Sequence, residues 1–359
     1  MFGQYAVVTL REARQKRDEA RTLLKGGISP SQQRQVQKQA HLKSAANTFK
    51  LLADEYIDRL VDREMADTTL SKVRWLLHTV AAPLADRPIR EINAAEILLL
   101  LQKVEKTGRR ETAKRLRGVI GSVFRHAVVT LRAETDPTVF LRGALLPPKT
   151  QNRAAITDEQ AFGRLMLSID EYDGYPSLKA ALQFLALTCV RPGEVRGAVR
   201  DEFDLDKAVW RIPAERMKMR HPHEVPLSKQ ALAVLEEVWP YSDHASLVFP
   251  SIRSNRRPLS ENSMNAALRR LGYTKDEVTA HGFRATASTI LNSRGYDSDV
   301  IEAVLAHQDR NTVRRAYNRS KYWPQRVALM QNWADLLDEL KQQKPVERVL
   351  VGGGSGGCG

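Results

Sequence analysis

The stretch HGFRATASTILNSRG, residues 281–295, combines an amphipathic helical pattern with an imidazole and a guanidinium. His281 and Arg284 are three residues apart, so a helix would place them side by side. A helix that only packed into a core would carry leucines at such positions, whereas a site that binds a phosphate group would use this pair. The stretch therefore predicts an anion-binding site at the start of a helix.

The composition of the chain indicates what kind of partner binds there. The chain has 359 residues, so two or more domains are expected. Its net charge of +14 and pI near 9.8 favour a polyanionic partner, nucleic acid first and an anionic membrane second. No apolar run is long enough to suggest a membrane-spanning helix. The two cysteines, Cys189 and Cys358, match neither a disulfide framework nor a zinc spacing, which makes a reducing, cytoplasmic setting the expectation.

The first half of the chain is predicted to be helical. Residues 8–25 form one predicted helix, and a Gln-rich linker follows. Between residues 48 and 131, four segments carry apolar residues at three- and four-residue spacing, which predicts a small helical bundle. The last of them, with the residues that lead into it, is strongly basic. Given the net charge, we interpret its cations as phosphate-backbone contacts rather than as solvated surface: Arg109, Arg110, Lys114, Arg115, Arg117 and Arg125.

The second half is predicted to contain helices and a small sheet. A linker near residue 150 precedes a capping-box pattern, Thr157 to Gln160, that should begin a helix. Residues 208–228 alternate as two short strands do, with Lys218 in a tight basic turn between them. Everything after Ser228 is expected to be mostly helical, and the Gly-rich tail flexible. The fold class is therefore mainly α with a small antiparallel β-sheet.

Several residues could do chemistry, and each has a simpler interpretation. Arg191 follows an apolar helix and precedes Glu194 by three residues, so it either faces an anion or forms a buried ion pair where Pro-Gly ends a helix. A lysine in a turn is usually solvated, and a lone tyrosine usually packs. His221 and His223, followed by Glu224, could reach a metal. Pro222 between the histidines favours a plain return strand, so no metal site is expected.

Taken in order, six residues resemble the catalytic set of the tyrosine recombinases, in particular the integrases of phages and genomic islands. The pattern is an arginine with an acidic residue three positions on, a hairpin lysine, His-x-x-Arg, a histidine and a tyrosine. Here it consists of Arg191 (supported by Glu194), Lys218, His281, Arg284, His307 and Tyr317. Six positions in the right order make the resemblance specific, and it covers about residues 46–345.

The resemblance implies a division of the chain into domains. A helical core-binding domain is expected at residues 46–135 and a tyrosine-recombinase catalytic domain at 153–345. The remaining segments are a remnant of an arm-binding region at 1–30, linkers at 31–45 and 136–152, and a flexible tail at 346–359. Most of the arm-binding domain is expected to be absent, which leaves arm-site binding in doubt.

The chemistry of DNA cleavage gives a reason for each residue type. A tyrosyl phenol, Tyr317, can attack a phosphodiester and later leave, because its pKa lies near 10. The guanidinium groups of Arg191 and Arg284 can clamp the two non-bridging oxygens and remain charged at any working pH. Lys218 can protonate the departing 5′ oxygen as general acid. With guanidinium groups supplying the electrostatic stabilisation, neither a metal nor another cofactor is required.

The two histidines supply the remaining proton and hydrogen-bond contacts in this scheme. His281 would accept the proton of Tyr317 or orient it, and His307 would donate to a phosphate oxygen. The resemblance implies a site-specific recombinase that integrates and excises a mobile element through a 3′-phosphotyrosyl intermediate. The alternatives are a type IB topoisomerase, which would relax supercoils rather than join two sites, and a catalytically silent DNA-binding regulator on the same fold.

The resemblance also implies partners. These are double-stranded attachment sites clamped between the two domains, and a homotetramer on DNA that assembles from free monomers. A DNA-bending protein and an excisionase come into consideration as accessory proteins, and no membrane is involved. The C-terminal segment beginning at Tyr322 would be donated to a neighbouring protomer, although a helix packing on its own domain would have the same amphipathic pattern.

Overall fold

The computed structural model describes residues 8–27, 29–32, 35, 46–148, 154–217, 219–242, 246–306 and 322–342. The chain divides into two compact units, Met1–Thr150 and Gln151–Gly359. Within the described ranges, no helix combines the length and apolar character that crossing a membrane requires.

The described part of the first unit is helical, as predicted. Its helices are α1 Leu10–Lys25, α2 Phe49–Asp62, α3 Asp67–Arg74, α4 Ala94–Lys106 and α5 Arg110–Val129. A π-helical turn, Trp75–Val80, extends α3, and short 3-10 helices lie at Ala82–Leu84, Ile89–Glu91 and Pro137–Leu141. The last of these lies within the segment predicted as the second linker.

The bundle has an apolar core and one polar network at its edge. The spacing of apolar residues on α2, α4 and α5 brings Phe49, Ile97 and Phe124 together in a buried cluster. At the edge, the carboxylate of Glu55 accepts hydrogen bonds from both Nη atoms of Arg132 and contacts Nε2 of the buried His126 at 3.2 Å. This network ties α2 to the end of α5.

The second unit combines eight helices of the described ranges with two small sheets. The helices are α6 Glu159–Asp170, α7 Pro176–Thr188, α8 Pro192–Arg196, α9 Lys229–Val238, α10 Ser263–Arg270, α11 Gly282–Ser293, α12 Ser298–Val304 and α13 Trp323–Gln342. Short 3-10 helices lie at Arg200–Glu202, Ala214–Arg216 and Trp239–Ser242. The cap of α6 is Asp158, one residue later than predicted, and its Oδ1 accepts from the amide of Ala161 at 2.8 Å.

The larger sheet is antiparallel and has the order β1-β2-β3. Its strands are β1 Phe203–Asp204, β2 Val209–Ile212 and β3 His223–Pro226. The two strands predicted about the basic turn are β2 and β3, with Ile212 opposite His223. The connection between them spans residues 213–222 and includes the 3-10 helix at Ala214–Arg216. The prediction of a tight turn was therefore wrong, and Lys218 itself lies outside the described residues.

A second sheet was not predicted, because the chain after Ser228 was expected to be mostly helical. It is a hairpin of β4 Pro250–Ser251 and β5 Ser254–Pro258. Every side chain of β5 after Ser254 is exposed, so this strand lacks the alternation of apolar and polar residues by which a half-buried strand is recognised.

The C-terminal helix α13 packs against its own unit. The indole of Trp333 is buried, donates from Nε1 to the carbonyl of Ala186 at 2.8 Å, and stacks on Phe162 with 6.1 Å between ring centroids. Leu329, Leu337 and Leu340 join the same core. Of the two interpretations of this amphipathic segment, the structure favours packing on its own domain for Trp323–Gln342.

Candidate active site

Arg191 lies where α7 gives way to α8. Cys189 follows the last residue of α7 and has the left-handed conformation, with φ of 54°, which turns the backbone away from the helix axis. Its side chain is buried. Pro192 then begins α8, which makes Arg191 the residue that precedes a helix. Of the two interpretations of Arg191, the one in which Pro-Gly ends a helix does not hold in that detail, since Pro192 begins α8 and proline is well suited to the first turn of a helix.

Glu194 holds Arg191 in place from the first turn of α8. Its Oε1 accepts from Nη1 of Arg191 at 2.8 Å, and its Oε2 accepts from the Arg191 amide at 2.8 Å. Glu194 is almost fully buried, whereas the Arg191 side chain remains 20% exposed. The ion pair considered from the sequence therefore exists, and it orients a guanidinium that solvent still reaches.

Arg284 joins three elements at the centre of the unit. It lies in the first turn of α11, is 5% exposed, and donates from Nη1 to the carbonyl of Cys189 at 2.6 Å. Its Nη2 donates to the carbonyl of Leu305, the residue that follows α12. His281 immediately precedes α11 and is half-buried. It is three residues from Arg284, so the two side chains lie about one helical turn apart. The plane of the Arg284 guanidinium is therefore fixed by backbone atoms of two other elements.

Gly282, between His281 and Phe283, permits this arrangement. A Cβ atom at this position would lie 2.1 Å from the carbonyl oxygen of Ala154, which also accepts from the amide of Thr279 at 3.2 Å. The backbone after the second linker thus crosses directly over the start of α11. Sequence reasoning did not identify this requirement, because it depends on a contact with a distant part of the chain.

The electrostatics of the site favour an anion. Burial lowers the pKa of Arg284, and the positive charge of Arg191 lowers it further. Two guanidinium groups from different elements, one buried and one that solvent still reaches, thus lie close enough to repel each other. An oxyanion between them would relieve that repulsion and accept bidentate hydrogen bonds. Burial raises the pKa of the neighbouring Cys189 thiol to about 12.

The structure adds His223 and Arg326 to this neighbourhood. Burial lowers the pKa of His223 to about 3, with further contributions from Arg326, Arg284 and Arg191. Arg326 lies in the first turn of α13, donates from Nη2 to the carbonyl of Glu224, and has its pKa lowered by burial to about 10. His223 was considered in the sequence only as a metal ligand and then assigned to a return strand, which is where it lies.

Three of the six predicted catalytic residues, Lys218, His307 and Tyr317, lie outside the described residues. The structure brings Arg191, Glu194 and Arg284 together and places His281 beside Arg284. Among the described residues, no cluster of three or more histidine, cysteine, aspartate or glutamate side chains could hold a metal ion.

The basic residues of the first unit divide into two groups. Arg110, Lys114 and Arg117 share one face of α5, because they are separated by four and three residues. No described ion pair involves these three or the exposed Arg109. Two other cations do have acidic partners: Arg115 bonds Glu111 at 2.7 Å, and Arg125, on the same face as the three, bonds Asp136 at 2.8 Å.

Comparison with known proteins covers both units. The phage integrase family matches residues 156–323, the phage integrase central domain matches residues 49–144, and the arm DNA-binding domain matches residues 1–37. The integrase of Enterobacteria phage P4 is 36% identical over 98% of this chain and 82% of its own length. The prophage integrase IntA of Escherichia coli K12 is 37% identical over 94% of this chain and 81% of its own length.

Solved structures share the fold. A lambda integrase dimer bound to a COC′ core site gives a TM-score of 0.60 at 18% identity, over 87% of this chain and 88% of that chain. A lambda integrase tetramer bound to a Holliday junction gives a TM-score of 0.59 at 18% identity, over 73% and 77% of the two chains. At such low identity these likenesses support the fold alone. The full-length relatives and the matching domains show that this chain belongs to the phage integrase family, the tyrosine-type site-specific DNA recombinases.

Proposed function

We propose that the chain cuts and rejoins DNA at a phosphate held between Arg191 and Arg284. The observation that carries this proposal is the approach of two like-charged guanidinium groups on a frame made of Glu194 and two backbone carbonyls. Such a frame is rigid before any DNA arrives, so the stabilisation of charge on the phosphate oxygens needs little reorganisation. Glu194 orients Arg191 by accepting from its side chain and from its backbone.

The remaining roles are assigned from the family pattern. Tyr317 attacks the phosphorus and forms a 3′-phosphotyrosyl link, while the bond to the 5′ oxygen breaks. Lys218 supplies the proton that the 5′ oxygen takes up, His281 accepts or orients the phenolic proton, and His307 donates to a phosphate oxygen. The bond energy stays in the phosphotyrosine, so a second DNA end can reverse the step without ATP.

We infer that the first unit supplies most of the affinity for the duplex. Residues 46–135 would act as the core-binding domain through Arg110, Lys114 and Arg117, whose charges have no acidic partner among the described residues. Arg109 would contribute at the start of the same helix. Arg115 and Arg125 are weaker candidates than the sequence alone indicated, because each is bonded to a carboxylate. Residues 1–30 are assigned to the arm-binding region and residues 153–345 to catalysis.

The working assembly is proposed to be a tetramer on two DNA sites that forms from free monomers. A structural neighbour, lambda integrase, has been solved as a tetramer bound to a Holliday junction, which supports this stoichiometry. A DNA-bending protein and an excisionase belong to the same proposal as accessory partners.

The test of the proposal is Tyr317→Phe on a suicide substrate nicked near the cleavage site. The variant should bind attachment-site DNA like the parent and form no covalent complex, because the phenyl ring lacks the attacking oxygen. Denaturing gels measure the protein-linked band. Tyr322→Phe is the matched control, since Tyr322 directly precedes α13 and should be dispensable. A protein-linked band from Tyr317→Phe and none from Tyr322→Phe would transfer the role of nucleophile to Tyr322.

A further inference from the structure

Strand β3 contacts the chain on both sides of the segment that carries Tyr317. Before the segment, the ring of His223 lies close enough to the backbone of Val304, the last residue of α12, to interact with it. After the segment, Arg326 in the first turn of α13 donates to the backbone carbonyl of Glu224. His223 and Glu224 are consecutive, so two points that lie far apart in sequence are tied to one short piece of strand.

Both contacts use polar groups that are costly to bury. His223 is 9% exposed and Arg326 is 7% exposed. Among the described residues, the Nε2 atom of His223 and the Nε atom of Arg326 have no hydrogen-bond partner. Glu224 lies close enough to favour the charge of Arg326, yet no described carboxylate forms an ion pair with it. Burying polar groups with unpaired nitrogens costs free energy, and replacing such groups by well-packed apolar side chains is often neutral or stabilising.

Arg326 makes two further contacts within the first turn of α13. The guanidinium of Arg326 lies over the ring of Trp323 at 5.2 Å, and the Arg326 amide donates to the carbonyl of Tyr322 at 2.8 Å. Both of these contacts are local, so the bond to the Glu224 carbonyl is the one that ties the start of α13 to β3.

The two contacts are linked to the phosphate pocket by Arg284. Its Nη2 donates to the carbonyl of Leu305, the residue next to the one that His223 contacts. His223 also lies within electrostatic reach of Arg191, Arg284 and Arg326. The groups that would hold the phosphate and those that hold the two ends of the Tyr317 segment therefore share one frame.

We propose that His223 and Arg326 are positioning residues for the nucleophile, because they fix both ends of the Tyr317 segment to β3 beside the phosphate pocket. The proposal rests on the assignment of Tyr317 made above. A displacement of about 1 Å at a reacting atom can reduce a rate by about 100-fold, so loosening either end should slow attack by the tyrosine. It should leave the binding and activation of the phosphate intact.

The experiment separates attack by Tyr317 from activation of the phosphate. In a Tyr317→Phe chain, hydrogen peroxide serves as an external nucleophile. Its oxygen forms the new bond to phosphorus, the bond to the 5′ oxygen breaks, and the 5′ oxygen takes up a proton. Arg326→Gln is measured in both backgrounds, by covalent complex formation in the parent and by peroxide cleavage in Tyr317→Phe, with enzyme saturating over DNA. We expect a loss of about 10- to 100-fold with tyrosine and less than about threefold with peroxide.

Conservative variants distinguish positioning from a general loss of structure. Arg326→Lys should recover most of the tyrosine rate, since an ammonium group can also donate to the Glu224 carbonyl. His223→Asn keeps a polar side chain that can interact with the Val304 backbone and should be faster than His223→Leu, which has no polar group. Arg294→Gln, which removes an ion pair with Glu159 at the surface of the same unit, is the control and should change neither rate.

Two outcomes would overturn the proposal. Equal losses with tyrosine and with peroxide would make Arg326 part of the phosphate pocket, and no loss with either would give the contacts no role in the reaction. A covalent complex from Tyr317→Phe without peroxide has a different meaning, because it would refute the nucleophile assignment and the positioning proposal with it.

Discussion

The cationic side chains of the two units are held in opposite ways. On α5 of the first unit, Lys114 is exposed to solvent and Arg117 is partly exposed. No described carboxylate forms an ion pair with either of them. In the second unit, Arg284 and Arg326 are buried and bonded to backbone carbonyls, and Arg191 is held by Glu194. Arginine thus serves as a solvated charge in the first unit and as a fixed part of the interior in the second.

The difference shows what each set of charges can contribute. A solvated cation gains affinity for a phosphate chiefly by releasing counterions, it tolerates small displacements, and salt screens it. A buried guanidinium has already lost most of its hydration and cannot move, so its position decides how well it stabilises charge that develops on a reacting phosphate. Substitutions on α5 should therefore change binding, and substitutions in the second unit should change the rate.

The largest effect is expected for Arg284→Lys. A lysine keeps the charge but cannot donate to the carbonyls of Cys189 and Leu305 at once while also presenting a forked face to a phosphate. Single-turnover cleavage at saturating enzyme should fall by about 100- to 1000-fold, while the affinity for attachment-site DNA changes by only a few-fold. Arg294→Lys, at the exposed residue that directly follows the same helix, is the control. A rate within tenfold of the parent would show that charge alone, without fixed geometry, is sufficient.

A smaller effect, on binding alone, is expected for alanine at Arg110, Lys114 and Arg117 together. The slope of log K against log salt concentration should become shallower by about two to three units, since each phosphate contact contributes about −0.9. Cleavage at saturating enzyme should match the parent. Filter binding or fluorescence anisotropy across a salt series measures the slope.

The partner of Arg115 supplies the matched control for this prediction. Arg115 is bonded to Glu111 on the same helix, so Arg115→Ala should alter the slope by less than one phosphate contact. If the triple variant leaves the slope unchanged, this face of α5 is directed to solvent and the duplex is bound elsewhere.

The smallest effect concerns stability in acid. His223 faces Arg326 on α13, Arg284 on α11 and Arg191 before α8, and its pKa of about 3 keeps it neutral in the folded chain. The unfolded chain takes up a proton below the ordinary value of 6.5, so the free energy of unfolding falls as the pH drops from about 6.5 towards 3 and is unaffected above 6.5. At pH 4.5 the loss due to His223 should be about 2 to 3 kcal/mol.

Urea titrations followed by tryptophan fluorescence at pH 7.5 and 4.5 measure this loss. His223→Gln should lose less stability between the two pH values than the parent, by that amount. His221→Gln, just outside the strand, should behave like the parent. An identical acid loss in both variants and the parent would show that His223 is not the group responsible.

The helices could be predicted from the sequence because their apolar residues repeat at three- and four-residue spacing over long segments. The short strands β1 and β5 could not, since two residues show no period and the side chains of β5 after Ser254 are all exposed. The predicted capping residue of α6 was one position too early, because two neighbouring residues suit that position equally. Thr157 and Asp158 are both good caps, and only the fold decides between them.

The site was predictable as far as its residues have local signatures. Arg191 with Glu194, and His281 with Arg284, are each contained in one short stretch, and the structure places them as neighbours. The contact of Arg326 with Glu224 joins residues 102 positions apart, and the need for glycine at position 282 depends on the carbonyl of Ala154. No pattern in a single stretch reports such pairs, because they arise only when the elements pack.

The burial of Cys189 beside the phosphate pocket has a consequence for redox chemistry. Oxidants and alkylating reagents react with thiolates, and a thiol with a pKa of about 12 offers almost none at neutral pH. Cys189 should therefore not be a position at which oxidants inactivate the second unit. It also follows that a maleimide dye added to the folded chain should leave Cys189 unlabelled.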